Sequence, residues 1–212
     1  MTRDVLLEQV RGYYDAKLRA FGPTPAGVDW NSQESQELRF RQLARLWEGE
    51  PSSSIIDYGC GYGALVQWLR ARGHTGGYCG FDVSTEMIRV AMSHEASGRR
   101  STFTSDRAGL SPADYAIASG IFNVKMETPE AQWREYVLAT IADLALLGRR
   151  GFAFNALTLY SDPPKRRPDL YYADPRELFD HCKRVHGPFV ALLHDYPLYE
   201  FTVIVRHDSP HV

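Results

Sequence analysis

The sequence predicts an α/β fold: a mostly parallel sheet with helices on both faces, ending in an antiparallel hairpin strand and preceded by a helical N-terminal segment. Three observations predict it. Between residues 53 and 157, short apolar runs alternate with stretches of helical periodicity, as in a parallel sheet whose crossovers are helices. The first run, Ser54-Ile55-Ile56-Asp57-Tyr58, leads into glycines at 59, 61 and 63, so a buried strand turns sharply into a helix. The last two runs, Phe189–Leu193 and Phe201–Val205, are separated only by residues 194–200. No helical crossover fits there, so these two strands must pair antiparallel.

The elements follow in order. Val5, Leu6, Val10, Tyr13, Tyr14, Leu18 and Phe21 recur at helical spacing until Gly22-Pro23-Thr24-Pro25 breaks the helix. Asn31 with Glu34 three residues on reads as the capping box of a second helix, whose apolar stripe is Leu38, Leu43, Leu46 and Trp47. Strands are expected at 54–59, 77–82, 101–105, 114–120 and 151–157. Ser84 caps the helix after the second strand, with Met87, Ile88, Val90, Ala91 and Met92 behind it. Thr128-Pro129 reads as a cap with proline at the first helical position, followed by Trp133, Tyr136, Val137, Ile141 and Leu144 and stopped by Gly148. Asp174-Pro175 opens the last helix by the same logic. With no repeats or interdomain linker, the chain divides into a helical extension or lid, residues 1–50, and an α/β domain, residues 51–212.

At 212 residues the chain has the length of one domain plus an extension, and 44% hydrophobic with 24% charged residues is an ordinary globular balance. A formal net charge of −2 gives no electrostatic reason to expect nucleic acid as a partner, which favours a small-molecule substrate. Cys60, Cys79 and Cys182 have neither zinc-ligand spacing nor the even number of a disulfide framework, so no metal is expected and free thiols fit the cytoplasm. No apolar run has the character of a signal peptide or a membrane span, which predicts a soluble cytoplasmic protein. The oligomeric state is not legible.

The glycine loop carries the chemistry. Glycines at alternate positions let backbone approach a ligand at the carboxyl end of a strand, which predicts a nucleotide-like ligand. Gly59, Gly61 and Ala64 also satisfy the G-x-G-x-x-G/A dinucleotide fingerprint, with an acid about 20 residues on, so an NAD-dependent oxidoreductase stays open from the loop alone. Asp57, two positions before the first glycine, tilts the balance. A carboxylate there repels a pyrophosphate and attracts an ammonium group.

The run Asp57-Tyr58-Gly59-Cys60-Gly61-Tyr62-Gly63 resembles the D/E-x-G-x-G-x-G signature of class I S-adenosylmethionine (SAM) dependent methyltransferases. The antiparallel ending is a second likeness, since that family's seventh strand runs against the others. The resemblance implies a three-layer Rossmann-like sheet with SAM bound by Asp57, Gly59, Gly61, Tyr62 and Gly63. It assigns Asp82, at the tip of the second strand, to the ribose hydroxyls. Val83 and Met87 would pack on adenine, Met87 serving equally as core, and Asp106 would accept from the adenine amino group. Ser119 and Gly120, ending the fourth strand, would offer backbone contacts to the SAM amino group. The chain lacks the Asn/Asp-Pro-Pro-Tyr/Phe motif at that strand end, which disfavours exocyclic base amines and glutamine amides as acceptors.

Methyl transfer needs an acceptor held in line and water kept out, so a lid is expected. Trp30, Tyr14 and Arg39 are its candidates, Arg39 pairing with the methionine carboxylate, although Trp30 and Tyr14 also read as packing aromatics. Acceptors less basic than an amine call for help with deprotonation, which nominates His194, at the end of the sixth strand, as base. Asn123 and Tyr172 complete the candidate catalytic set, and Tyr172 with Arg166 could frame an anionic or aromatic molecule. A noncatalytic SAM-binding module, keeping the loop but lacking an acceptor pocket, is the other open reading.

Overall fold

The first strand of the sheet is buried along its whole length, as its sequence demands. In the computed structural model, which describes residues 3–94 and 100–208, that strand is β1 (Ile55–Tyr58). It follows α1 (Arg3–Phe21) and α2 (Gln33–Ala44), with short 3₁₀ turns at Pro25–Val28 and Arg45–Trp47. After it come α3 (Ala64–Ala71), β2 (Tyr78–Phe81), α4 (Thr85–His94), β3 (Ser101–Thr104), β4 (Ala113–Ala118) and α5 (Glu130–Leu147). The chain continues through β5 (Gly148–Leu157), α6 (Pro175–Val185), β6 (Phe189–Leu193) and β7 (Glu200–Arg206).

The sheet order is β3-β2-β1-β4-β5-β7-β6, parallel throughout except that β7 runs antiparallel to both neighbours. Alternation along each strand sends side chains to two cores. Ile56 and Tyr58 join Ala116, Phe152, Phe154 and Val203 on the face covered by α5 and α6, where Trp133 is wholly buried. Ile55, Ile117, Ala153 and Ile204 join Phe40, Leu43, Leu46 and Trp47 on the face covered by α2 and α3. The order reverses between β1 and β4. Parallel sheets open a crevice outside the carboxyl ends of the strands at such a point, and here the glycine loop sits in it.

The capping box of α2 lies one residue beyond the expected Asn31. Ser32 accepts from the Ser35 amide at 3.1 Å, and the Ser35 hydroxyl accepts from the Ser32 amide at 3.3 Å. The start of α5 is also displaced, because Pro129 has an extended ψ of 140° and so occupies the cap itself, leaving Thr128 Oγ1 buried without a partner. Ser84 and Asp174 cap α4 and α6 as expected, accepting from the Met87 and Arg176 amides. β5 begins at Gly148, directly where α5 stops, and pairs there with Ala113 across a bulge.

Candidate active site

A cavity opens at the carboxyl ends of β1, β2 and β4, walled by the glycine loop and roofed by α1 and the Val28–Trp30 segment. Gly59 and Gly61 have φ of 88° and 53°. A Cβ on Gly59 would come within 2.2 Å of Ile121, and one on Gly61 within 3.2 Å of Val28, so the loop admits no side chains there. The Gly59 and Cys60 amides both donate to Phe81 O, at 2.7 and 2.9 Å, which pins the loop to β2. Gly63 serves helix packing instead. It starts α3 and faces Ala91 of α4, allowing the two helices to approach.

Two carboxylates sit in this otherwise largely apolar wall. Asp57 is buried; its Oδ2 accepts from the Tyr78 hydroxyl at 2.6 Å, and its Oδ1 has no partner. Burial pushes its carboxyl up to about 7 against the pull of that hydrogen bond. Asp82 accepts from the Gly61 amide and the Ser84 amide, each at 2.9 Å, and burial raises it to about 6. From α1, Asp15 accepts from the Ser84 hydroxyl at 2.5 Å, which adds negative charge behind Asp82. The rest of the wall includes Leu7, Val10, Val28, Phe81, Val83, Met87 and Ile121. The cavity therefore suits a ligand with a cationic group, hydroxyls and an apolar ring.

A second, more polar cavity adjoins the first, and Tyr14, Val28, Trp30 and Gly120 line both. Trp30 is the partition. Its ring lies so close to Gly120 that a Cβ there would meet it at 2.2 Å, and the Arg39 guanidinium stacks on it at 3.8 Å. Arg39 is held by Glu200, at the start of β7: its Nε and Nη2 donate to the carboxylate at 2.8 and 2.5 Å. Glu200 also accepts from Asn155 Nδ2 at 2.5 Å, and Asn155 Oδ1 accepts from the Gly120 amide at 2.8 Å. A buried polar chain thus runs from α2 through β7 and β5 to the partition between the cavities.

The structure brings Tyr14, Trp30, Asp57, Gly59, Gly61, Tyr62, Asp82, Val83, Met87, Ser119 and Gly120 to the first cavity. Asn123 and Tyr172 line the second; Asn123 Oδ1 accepts from the Leu157 amide, and the Tyr172 hydroxyl accepts from the Arg167 amide at 2.9 Å. Arg39 lines only the second cavity, committed to Glu200 instead of a ligand carboxylate. Asp106 lies outside both, exposed and capping a 3₁₀ turn through the Ala108 amide. His194 also lines neither cavity, packing against Tyr160 and Phe201. The reason is strand order: β6 is the sheet's edge, four strands from β1, or about 19 Å at about 4.8 Å per strand.

Sequence reasoning missed several wall residues. Leu7 and Arg11 reach the first cavity from α1, and Gln36 and Phe40 from α2. The Tyr62 hydroxyl donates to Gln36, a buried polar residue in a helix with no sequence mark of function. Glu200 and Asn155 did leave a signal, a charge opening an apolar strand and an amide inside one. Among the described residues no group of three or more His, Cys, Asp or Glu could hold a metal, and no helix is long and apolar enough to cross a membrane.

Comparison with known proteins defines the class. Residues 30–169 match the family described as "Methyltransferase domain", and the chain belongs to it. Among curated proteins it resembles "Putative methyltransferase Rv1506c" of Mycobacterium tuberculosis, 51% identical over 156 residues, 74% of this chain and 94% of that one. Its fold is that of the Rossmann-like methyltransferases. Magnesium protoporphyrin IX methyltransferase of Synechocystis PCC 6803 with bound SAM superposes with a TM-score of 0.66 at 19% identity, covering 95% of this chain and 97% of that one. Human N-acetylserotonin methyltransferase with SAM gives 0.64 at 14% identity, covering 99% of this chain and 61% of that one. The chain is a methyltransferase, and the oxidoreductase reading of its glycine loop is set aside.

Proposed function

We propose that the chain takes SAM into the first cavity and transfers its methyl group to an oxygen or nitrogen of a small molecule in the second. The observation that carries this reading is the shared wall: two pockets of unlike chemistry meet at Tyr14, Val28, Trp30 and Gly120. Bound SAM supplies a methyl group activated by a sulfonium centre. Asp57, with one carboxylate oxygen unpartnered, suits the methionine ammonium, and Asp82 suits the ribose hydroxyls. Val83 and Met87 offer apolar packing for adenine, and Ser119 and Gly120 line the wall where the amino group would lie. On the acceptor side, Asn123 and Tyr172 shape the pocket, and the partition sets the line of approach that in-line displacement needs. A second pocket is what a noncatalytic SAM-binding module would lack.

Residues 1–50 act as the lid in this reading, with α1 and Val28–Trp30 excluding water from the transfer. The net charge of −2 favours a small molecule over nucleic acid, and the three free cysteines agree with a cytoplasmic location. The names of the solved neighbours, magnesium protoporphyrin IX and N-acetylserotonin methyltransferases, point the same way. Calorimetric titration with SAM and with NAD tests the donor, expecting SAM alone to bind. Transfer of a labelled methyl group to candidate acceptors tests the reaction. Amides at 27–40 should exchange more slowly with SAM present, and equal exchange would remove the lid.

A further inference from the structure

We infer that the acceptor is an oxyanion already ionised at neutral pH, a carboxylate or a phosphate-type group, received by donors that the second cavity leaves uncommitted; this rests on the function proposed above. The wall is asymmetric in its hydrogen bonding. Its two carboxylates are already engaged by donors of the protein. Asp29 accepts from Lys17 Nζ at 2.7 Å and the Tyr13 hydroxyl at 2.8 Å, and Glu200 accepts from Arg39 and Asn155.

The donors are not saturated. Lys165 gives one hydrogen bond, to the Tyr199 hydroxyl at 2.9 Å, and its ion pair with Asp162 is exposed and 3.6 Å long, a contact worth little. Arg167 gives its Nε and Nη2 to Asp169 and also reaches the Tyr13 hydroxyl, while about half of its side chain stays exposed. The Asn123 side-chain amide accepts through its oxygen while its nitrogen likewise donates to none of them. A ligand that completes this wall brings acceptors, and an anion brings the strongest.

The same wall holds no free base. No histidine lines it, and the carboxylates are engaged. An oxyanion needs none. One of its lone pairs forms the new C–O bond to the methyl carbon as the C–S bond breaks, and that electron pair passes to sulfur. The sulfonium becomes a neutral thioether while a carboxylate becomes a neutral ester, or a phosphate-type dianion a monoanionic one, and no proton is released. A hydroxyl acceptor would have to lose a proton, and no histidine lines this wall to take it.

The test uses the full chain and isothermal calorimetry. S-adenosylhomocysteine (SAH) is titrated first; failure to bind would overturn the SAM reading itself, and this inference with it. With SAH saturating, 3-phenylpropionate, phenylphosphonate and the neutral 3-phenylpropanol are then compared. An anion should bind about tenfold or more tighter than the alcohol, and whichever anion binds better separates carboxylate from phosphate-type acceptors. The Lys165→Met, Arg167→Gln double variant should abolish that preference while SAH affinity stays unchanged. Equal affinity for charged and neutral probes, no binding of any probe at millimolar concentration, or a preference that survives the double variant would overturn the inference.

Discussion

Replacing Glu200 with alanine tests the buried chain that ties α2 to the cavity partition. Glu200 is 1% exposed and accepts three hydrogen bonds, two from Arg39 and one from Asn155. Its removal strands the Arg39 guanidinium, 8% exposed at the side chain, in a site with no other carboxylate partner. Breaking a buried pair in this way costs about 3–5 kcal/mol, because the remaining charge keeps its desolvation penalty. For a chain of this size each kcal/mol lowers Tm by about 2–4 °C, so Glu200→Ala should melt about 6–20 °C below the native protein. Thermal and urea unfolding followed by circular dichroism measure it. The Glu200→Leu, Arg39→Met double variant should recover most of the loss, because apolar groups of similar volume can replace a buried pair at little cost. A single variant within about 1 kcal/mol of native, or a double variant no better than the single, would refute the reasoning.

Three further outcomes are expected. Asp82→Asn, which keeps an acceptor for only one of the Gly61 and Ser84 amides because these bond to Oδ2 and Oδ1 respectively, should bind SAM about 2 kcal/mol more weakly in calorimetry; full affinity would remove Asp82 from the ribose site. Asp57 is raised from its ordinary range to about 7 in the folded state, so the native chain holds a proton there that the unfolded chain has lost. Stability should therefore fall as pH rises from about 4 to about 7 and level off above. Asp57→Asn should flatten that fall and, by about 1.4 kcal/mol per pKa unit removed, be the more stable protein at pH 8, read from urea midpoints; identical pH slopes would contradict the assignment. Gly120→Ala should displace Trp30, because φ is +76° and the new Cβ would meet the indole at 2.2 Å, lowering stability by about 1–3 kcal/mol with a shift in tryptophan emission.

Six of the seven strands are legible as short apolar runs, β3 (Ser101–Thr104) having Phe103 as its one apolar residue, and the antiparallel ending follows from connection length alone. Element ends are less legible, because a cap is decided by backbone geometry: Ser32, not Asn31, has the extended conformation that α2 requires. The glycine loop and Asp82 can be read because strand, loop and acid are close in sequence. Glu200 and Asn155 cannot be assigned, since their partners lie 161 and 35 residues away and only the folded chain joins them. His194 shows the limit most clearly. Sequence locates it at the end of a strand on the correct edge of the sheet, but nothing local tells that β6 is the outermost strand.

The separation between Arg39 and Glu200 has a consequence for the order in which the protein can be completed during its synthesis. α2 leaves the ribosome early, carrying a guanidinium destined for burial, while its counter-charge is translated 161 residues later. Until β7 emerges and inserts between β5 and β6, that helix can dock on the sheet only through apolar residues such as Phe40 and Leu43, and the wall it shares with the cavities is unfinished. The five strands up to β5 can form a parallel sheet from contacts already translated, but the pocket they edge stays open. A nascent product ending before residue 200 would hold the glycine loop intact while the Arg39 guanidinium has no Glu200 to receive it.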